Sequence, residues 1–471
     1  MAPLPSDPAL WPATEQAAAL AARRLSAREL LASVTARIDA HNPALNAVVT
    51  IDPDRAAAGA AAADEASAHG QSFGPLHGLP MTMKDALAVA GMRSTGGAVE
   101  MRDHVPAVDA DVVARVRAAG ANVFAKTNVP RWSGDLQTFN EVFGTTNNPW
   151  NPALVPGGSS GGAATAVATG MTSVEVGTDI GGSVRVPAAY CGIAGHKPSY
   201  GLVPCGGYLD GVEGGLTEPD VNVHGPLARS VADLELLLGV LAGPGPDRAG
   251  AWSVRLPAPR HDRIDGFRVA VWPTDPACPV SAATEATVRR AGELLAGLGA
   301  RVDDTARPAI DPAGAAQLGL GLVGAAVTPS TTDEQWARVV AAGGALAHRD
   351  WLAMDRARAR IRAAWAEFFT SFDVLVCPVI ACPPFPHNPD GNFATRTIAI
   401  DGAARPYADL VWWTILIGMA YLPSTSIPVG RTVDGLPVAV QVVAAYLEDR
   451  SALAVARALV DAGGGITLPV S

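Results

Sequence analysis

The chain has 471 residues, with 35 Lys plus Arg against 45 Asp plus Glu and a formal net charge of −10. Only three of the basic residues are lysines, Lys84, Lys126 and Lys197. That balance excludes a general nucleic-acid binder, which needs a basic stripe against phosphates. It also argues against an anionic membrane surface. No lysine closes a glycine-rich phosphate loop, since Lys126-Thr127 lacks the glycines, so a P-loop ATPase is excluded. Hydrophobic residues make up 49% and charged residues 17%, enough for a large buried core.

The first 70 residues read as helical. Ser26-x-x-Glu29 is a capping box that opens a helix carrying Leu30, Leu31 and Val34, and Asn42-Pro43 is expected to stop it. Residues 45–51 read as a strand, and an Ala-rich helix follows to about His69. From Gly74, short strands alternate with helices: 79–83 leads into Lys84, 109–119 is helical and 121–127 extended. Residues 206–220 read as a glycine-rich surface loop, 231–242 and 283–297 as helices, and 242–262 and 304–312 as connections. A buried strand is expected at 374–376 before the Pro-rich 378–386, another at 437–443, and a last helix at 450–462. The alternation predicts an α/β chain with a mostly parallel or mixed sheet covered on both faces. We see no fixed repeat and no linker, so 1–471 reads as one domain. Its parts are N-terminal helices (1–70), a motif-rich core (74–230), a variable helical and loop region (231–370) and the end of the core (371–471).

Met1 to Trp11 holds three prolines and no basic region, which reads against a secretory signal. The longest apolar run, about 410–422, is short of the roughly 18–20 residues that span a bilayer. The cysteines, at 191, 205, 278, 377 and 382, are odd in number and have no zinc spacing, so a reducing cytoplasm is expected.

The stretch from Pro156 to Gly201 stands out. Pro-Gly-Gly-Ser-Ser-Gly-Gly at 156–162 and Gly-Thr-Asp-Ile-Gly-Gly-Ser-Val-Arg at 177–185 are two Gly/Ser clusters separated by an Ala-rich helix and a short strand. A flexible linker would border a change of composition, and none is present. An anion nest lacks the other elements of a nucleotide fold, including a GxGxxG motif. Gly158-x-Ser160-x-Gly162 matches a nucleophile elbow with Ser160 at its centre, for which His387 stands in the right order. A sharper reading pairs a serine with a lysine base. A serine hydroxyl is a poor nucleophile until a base takes its proton. A buried lysine can do this, whereas arginine does not give up its proton. Lys84 ends an apolar run and points from a buried strand into the core.

These motifs resemble the amidase signature family of serine amidohydrolases. The resemblance rests on Gly78-Leu79-Pro80 with Lys84-Asp85, Lys126-Thr127-Asn128, and Phe143-Gly144-Thr145 with Asn148-Pro149-Trp150-Asn151. It continues through 157–162, 177–185, Pro187-Ala188-Ala189, Cys191-Gly192, Lys197-Pro198, 225–230, Gly435-Leu436-Pro437-Val438 and Gln441, covering roughly 12–465. It implies one large domain with a twisted mixed sheet between helices. It also implies Ser183 as nucleophile, Ser159 (preceded in that family by a cis peptide bond) as bridge, and Lys84 as general base. The oxyanion would be held by the N–H groups of Ile180, Gly181, Gly182 and Ser183. The implied reaction is cleavage of an amide C–N bond through an acyl-enzyme, with no metal or organic cofactor.

Ser160, Thr178, Asp179 and Arg185 are supporting candidates, while Cys191, Lys126 and Lys197 read as structural. Trp132, Tyr208, Leu209, Trp412 and Trp413 are pocket candidates and favour an apolar or aryl amide. Residues 126–130 and 144–148 resemble bacterial aryl acylamidase-like members, and carbamates and esters stay open as substrates. The expected partner is a small-molecule amide, without nucleic acid or membrane, and the chain is expected to be a monomer or homodimer. The alternative within the family is the glutaminase subunit of a tRNA-dependent amidotransferase. That subgroup usually has Gln where Val186 stands. A non-catalytic protein on the same scaffold is the alternative outside enzymes, and the intact Lys84, Ser159 and Ser183 argue against it.

Overall fold

The computed structural model describes residues 4–469 except 213, 328–336, 338, 339, 341–345 and 464. Two sheets carry the fold. The larger has eight strands in the order Arg301–Asp303, Arg268–Val271, Val374–Pro378, Pro437–Ala444, Ser424–Arg431, Ala194–Lys197, Val223–Ala228 and Val174–Asp179. It is mixed: the first three strands pair parallel, and every later ladder is antiparallel. The smaller sheet places Asn122–Thr127 between Val48–Ile51 and Pro80–Lys84.

Helices cover both faces of the large sheet. Gly161–Ala168 and Arg185–Cys191 pack together against it, and Val231–Leu241, Ala282–Gly297 and Asp449–Ala462 form a second group. The central strand Pro437–Ala444 is buried along its whole length, which explains why it reads as an apolar run rather than an alternating one. Strand Pro80–Lys84 packs against Val174–Asp179, and this contact brings the two sheets together at the site.

Most expected elements form within one to three residues of their predicted bounds. The capping box is present: Ser26 Oγ accepts from Glu29 N–H at 3.1 Å, and the Glu29 carboxylate accepts from Ser26 N–H at 2.8 Å. The stop at Asn42-Pro43 is corrected, since the helix runs Ala27–Leu45 with Pro43 inside it. Proline removes a single N–H, and Asn46 in a left-handed conformation closes the last turn by donating to Asn42 C=O at 2.8 Å. Val48, not residue 45, then begins the strand. Residues 206–220 hold no helix or ladder strand among those described, yet Tyr208 and Leu209 are buried. No helix among the described residues is long and apolar enough to cross a membrane. All five cysteines are free and buried.

Candidate active site

Lys84 is the last residue of the buried strand Pro80–Lys84, paired with Thr127 on its neighbour. The lysine is fully buried, and its Nζ lies 2.6 Å from Ser159 Oγ, 2.7 Å from Thr178 Oγ1 and 3.0 Å from Ser160 Oγ. Burial pushes its pKa down to about 7, against the opposing pull of Asp179 and Glu175. An amine near that value is neutral for much of the time at neutral pH, with one lone pair to accept a proton.

Ser159 and Ser160 end the first glycine-rich loop and lead into the helix Gly161–Ala168. The Gly158–Ser159 peptide is cis. A Cβ at Gly158 would come within 2.5 Å of Asp135 C=O, so no larger residue fits there. Ser160 Oγ touches Lys84 Nζ and the backbone of Thr178. It has no histidine partner among the described residues, so the elbow reading through Ser160 and His387 does not form.

The second loop leaves the strand Val174–Asp179 and enters the helix Arg185–Cys191. Asp179 organises it. One carboxylate oxygen accepts from Gly182 N–H at 2.8 Å, and the other accepts from Val184 N–H at 3.1 Å and Arg185 N–H at 3.3 Å. The Arg185 guanidinium grips both oxygens, at 2.9 and 3.0 Å, and reaches Thr414 C=O and Gln441 Oε1, each at 3.1 Å. Burial alone would raise the Asp179 carboxyl, but Arg185 and the other donors hold it at about 2. Thr414 Oγ1 donates to Gly181 C=O at 2.7 Å. Gly182 has φ +118°, and a Cβ there would meet Thr414 at 2.8 Å, whereas one on Gly181 would meet open space. These contacts correct one expectation. The Gly182 N–H is committed to Asp179, while those of Ile180, Gly181 and Ser183 have no acceptor among the described residues.

The two loops are joined by Ser160 N–H donating to Ser183 C=O at 3.3 Å. Exposure grades across the set: Lys84 and Ser159 are at 0% and Ser183 at 6%. All three are buried, Ser183 the least completely.

Two buried side chains escaped the sequence reading. Glu175 accepts from Thr127 Oγ1 at 2.5 Å and from Thr82 Oγ1, and burial pushes it up to about 7 against those hydroxyls and Lys126 and Lys84. His224 pairs in register with Thr178, and both of its ring nitrogens lack a partner. Burial, then Lys84, lowers it to about 3. The signal available was a carboxylate between two valines, a placement that is costly in a buried strand unless the group is used or paired.

The other lysines are placed differently. Lys126 Nζ donates to Leu87 C=O and to Ser94 Oγ at 3.1 Å, and Lys197 Nζ to Pro198 C=O at 2.9 Å. Cys191 is buried, with its thiol pushed up to about 12, an inert core residue.

Among the pocket candidates, Tyr208 and Leu209 lie just beyond the end of the Lys84 strand. Leu209 N–H donates to Ala86 C=O at 2.8 Å, and the Tyr208 phenol neighbours Ser133 and Thr178. Trp132 packs on Ala98 and Met101 with 9% exposed, and Trp412 retains 7% on the short helix that carries Thr414. Trp413 is corrected to a core residue: it is fully buried and T-shaped against Trp272 at 5.4 Å.

A fully buried lysine amine thus lies within hydrogen-bond reach of Ser159, Ser160 and Thr178, where the two Gly/Ser loops meet. Comparison with known proteins identifies the family. The sequence model of the Amidase family matches residues 29–453, and the chain belongs to that family, whose members hydrolyse amide C–N bonds. It is 32% identical to the acylamidase of Rhodococcus erythropolis, over 93% of this chain and 92% of that one. It is also 32% identical to a glutamyl-tRNA(Gln) amidotransferase component of Synechococcus sp. (strain CC9605), over 92% of each. Among solved structures it resembles a bacterial aryl acylamidase of the amidase signature family, with TM-score 0.82, 26% identity and 96% of each chain covered.

Proposed function

We propose that this chain is a stand-alone amidase that cleaves a small or medium apolar or aryl amide through an acyl-enzyme on Ser183. The observation that carries the reading is the Lys84 Nζ, fully buried and 2.6 Å from Ser159, on the loop whose Ser160 N–H donates to Ser183 C=O. Neutral Lys84 takes the Ser183 proton through Ser159 while Ser183 Oγ bonds to the amide carbonyl carbon. The N–H groups of Ile180, Gly181 and Ser183 receive the developing oxyanion, each contributing on the order of 3 kcal/mol. Lys84 then returns the proton to the leaving amine as the C–N bond breaks. Water, deprotonated along the same path, releases the acid.

The aromatic and apolar side chains of Trp132, Tyr208, Leu209 and Trp412, all buried, support an apolar or aryl group on the substrate, as does the likeness to an acylamidase and an aryl acylamidase. Val186, where the amidotransferase glutaminases usually carry Gln, favours the stand-alone reading over a glutaminase working in a complex. The test is the purified single chain assayed on anilides, aliphatic amides, carbamates, esters and glutamine. We expect turnover of anilides and none of glutamine. Glutamine as the only substrate turned over would overturn the reading.

A further inference from the structure

Glu175 is a fully buried carboxylate with no ion-pair partner within salt-bridge distance among the described residues. Two other buried carboxylates differ in this. Asp179 is clasped by Arg185 at 2.9 Å, and Asp449 is held by Ser199 at 2.7 Å and His196 at 3.1 Å. Glu175 is tethered only by two hydroxyls, and their positions are informative. Thr82 lies two residues before Lys84, on the same face of the same strand. Thr127 is the ladder partner of Lys84 on the next strand. The carboxylate is therefore pinned by the along-strand and cross-strand neighbours of the lysine, from a strand whose own Thr178 also contacts Lys84 Nζ at 2.7 Å.

Leaving such a group unpaired in a dry interior is costly, and neither threonine requires a carboxylate. The reaction supplies a use for it. When the Ser183 O–H bond breaks and its oxygen bonds to carbon, the proton passes to Lys84, and a positive charge appears where no water can solvate it. When the C–N bond breaks, that proton leaves with the amine and the charge disappears. We propose that Glu175 is a positioning residue for this relay, its carboxylate, held by two hydroxyls but not ion-paired, serving as a counter-charge that stabilises Lys84 in its protonated state. The proposal rests on the Ser183–Ser159–Lys84 reading above.

Asp179, Lys126 and His224 also face the pair. Asp179, on the same strand as Glu175, is ion-paired to Arg185, and its charge raises the Lys84 pKa as well, more than that of Glu175 does. Lys126, on the strand Asn122–Thr127, binds Leu87 C=O and Ser94 and faces Asp85. His224, on the adjacent strand, is kept neutral by burial and cannot supply a negative charge. The direction of the pH effect follows. A nearby carboxylate raises the pKa of the lysine, so removing its charge lowers that pKa. The acid limb of the rate then moves to lower pH, and the weaker base works more slowly on the plateau.

The test is Glu175→Gln in the full chain, with kcat and KM for an anilide measured against pH beside thermal melting. We expect kcat on the plateau to fall by roughly tenfold or more with KM within about twofold, and the acid limb to move down by at least about half a pH unit. A lower melting temperature with the wild-type limb would overturn the proposal, because a purely structural role moves only the former. If that variant fails to fold, Thr82→Val loosens one anchor of the carboxylate, and a smaller shift of the limb in the same direction is expected. An unmoved limb there overturns the proposal equally. Ser183→Ala separates the two levels. Turnover by that variant sinks the reading of the site, whereas a dead Ser183→Ala beside a wild-type limb in Glu175→Gln sinks only the role of Glu175.

Discussion

Lys84 and Lys126 stand on neighbouring strands of one sheet, both at 0% exposure, yet their surroundings differ in kind. The Lys84 amine meets three hydroxyls, of Ser159, Ser160 and Thr178. The Lys126 amine meets a main-chain carbonyl, a hydroxyl and the charge of Asp85. A hydroxyl both donates and accepts, so it can turn its proton toward a neutral amine and its lone pair toward an ammonium. A carbonyl only accepts, which fixes the lysine as donor. Burial lowers both, Lys84 to about 7 and Lys126 to about 8. Burial alone therefore does not single out a base. What distinguishes Lys84 is a set of partners that tolerates both of its protonation states.

The comparison breaks most directly by substitution. Ser183→Ala and Lys84→Ala are expected to lower kcat by at least about 10³-fold while the chain stays folded, read by steady-state assay beside circular dichroism. Lys84→Arg should be equally inactive, because a guanidinium keeps its proton. Near-normal turnover by any of these would erase the distinction between the two lysines. Next in size, Asp179→Asn leaves the Arg185 charge buried and unpaired and should cost about 3–5 kcal/mol in denaturant unfolding. The same carboxylate gives an acid-stability effect of defined sign. Its folded pKa of about 2 lies below the ordinary value of 3.8, so its contribution is present above that value and lost as pH falls toward 2. Asp179→Asn should flatten this part of the stability profile. Lys126→Met should lower stability yet keep most of kcat, which sharpens the contrast with Lys84. The smallest effect is expected at Trp132→Ala, which should raise KM for aryl amides several-fold more than for short aliphatic ones in a paired substrate assay.

Much of this was legible because the chemistry sits in contiguous motifs. The clusters at 157–162 and 177–185 and the lysine closing a buried strand carry the family resemblance, and it is that resemblance that implies roles for Ser159, Ser183 and Lys84. What stayed hidden depended on pairing across the chain. Strands Ala194–Lys197 and Val223–Ala228 contain glycine, histidine, lysine or proline and carry no strand-like pattern of their own; their neighbours in the sheet make them strands. The 24-residue helix His348–Ser371 receives no bounds from the sequence, within a region read as variable helices and loops. Glu175 and His224 gave no motif, because their meaning lies in which strands adjoin Lys84. The Gly182 N–H was misjudged for a related reason. Its acceptor is three residues away, on a side chain whose direction is set by Arg185 and by Thr414 and Gln441, far along the chain.

The central claim is that neutral Lys84 removes the Ser183 proton, and the most direct measurement is the pH dependence of the single-turnover acylation rate with an anilide. The rate should rise through one ionisation near pH 7 to an alkaline plateau, and Lys84→Ala should lose that dependence together with the rate. An acylation rate that is flat from pH 5 to 9, or an ionisation that survives unchanged in Lys84→Ala, would contradict it.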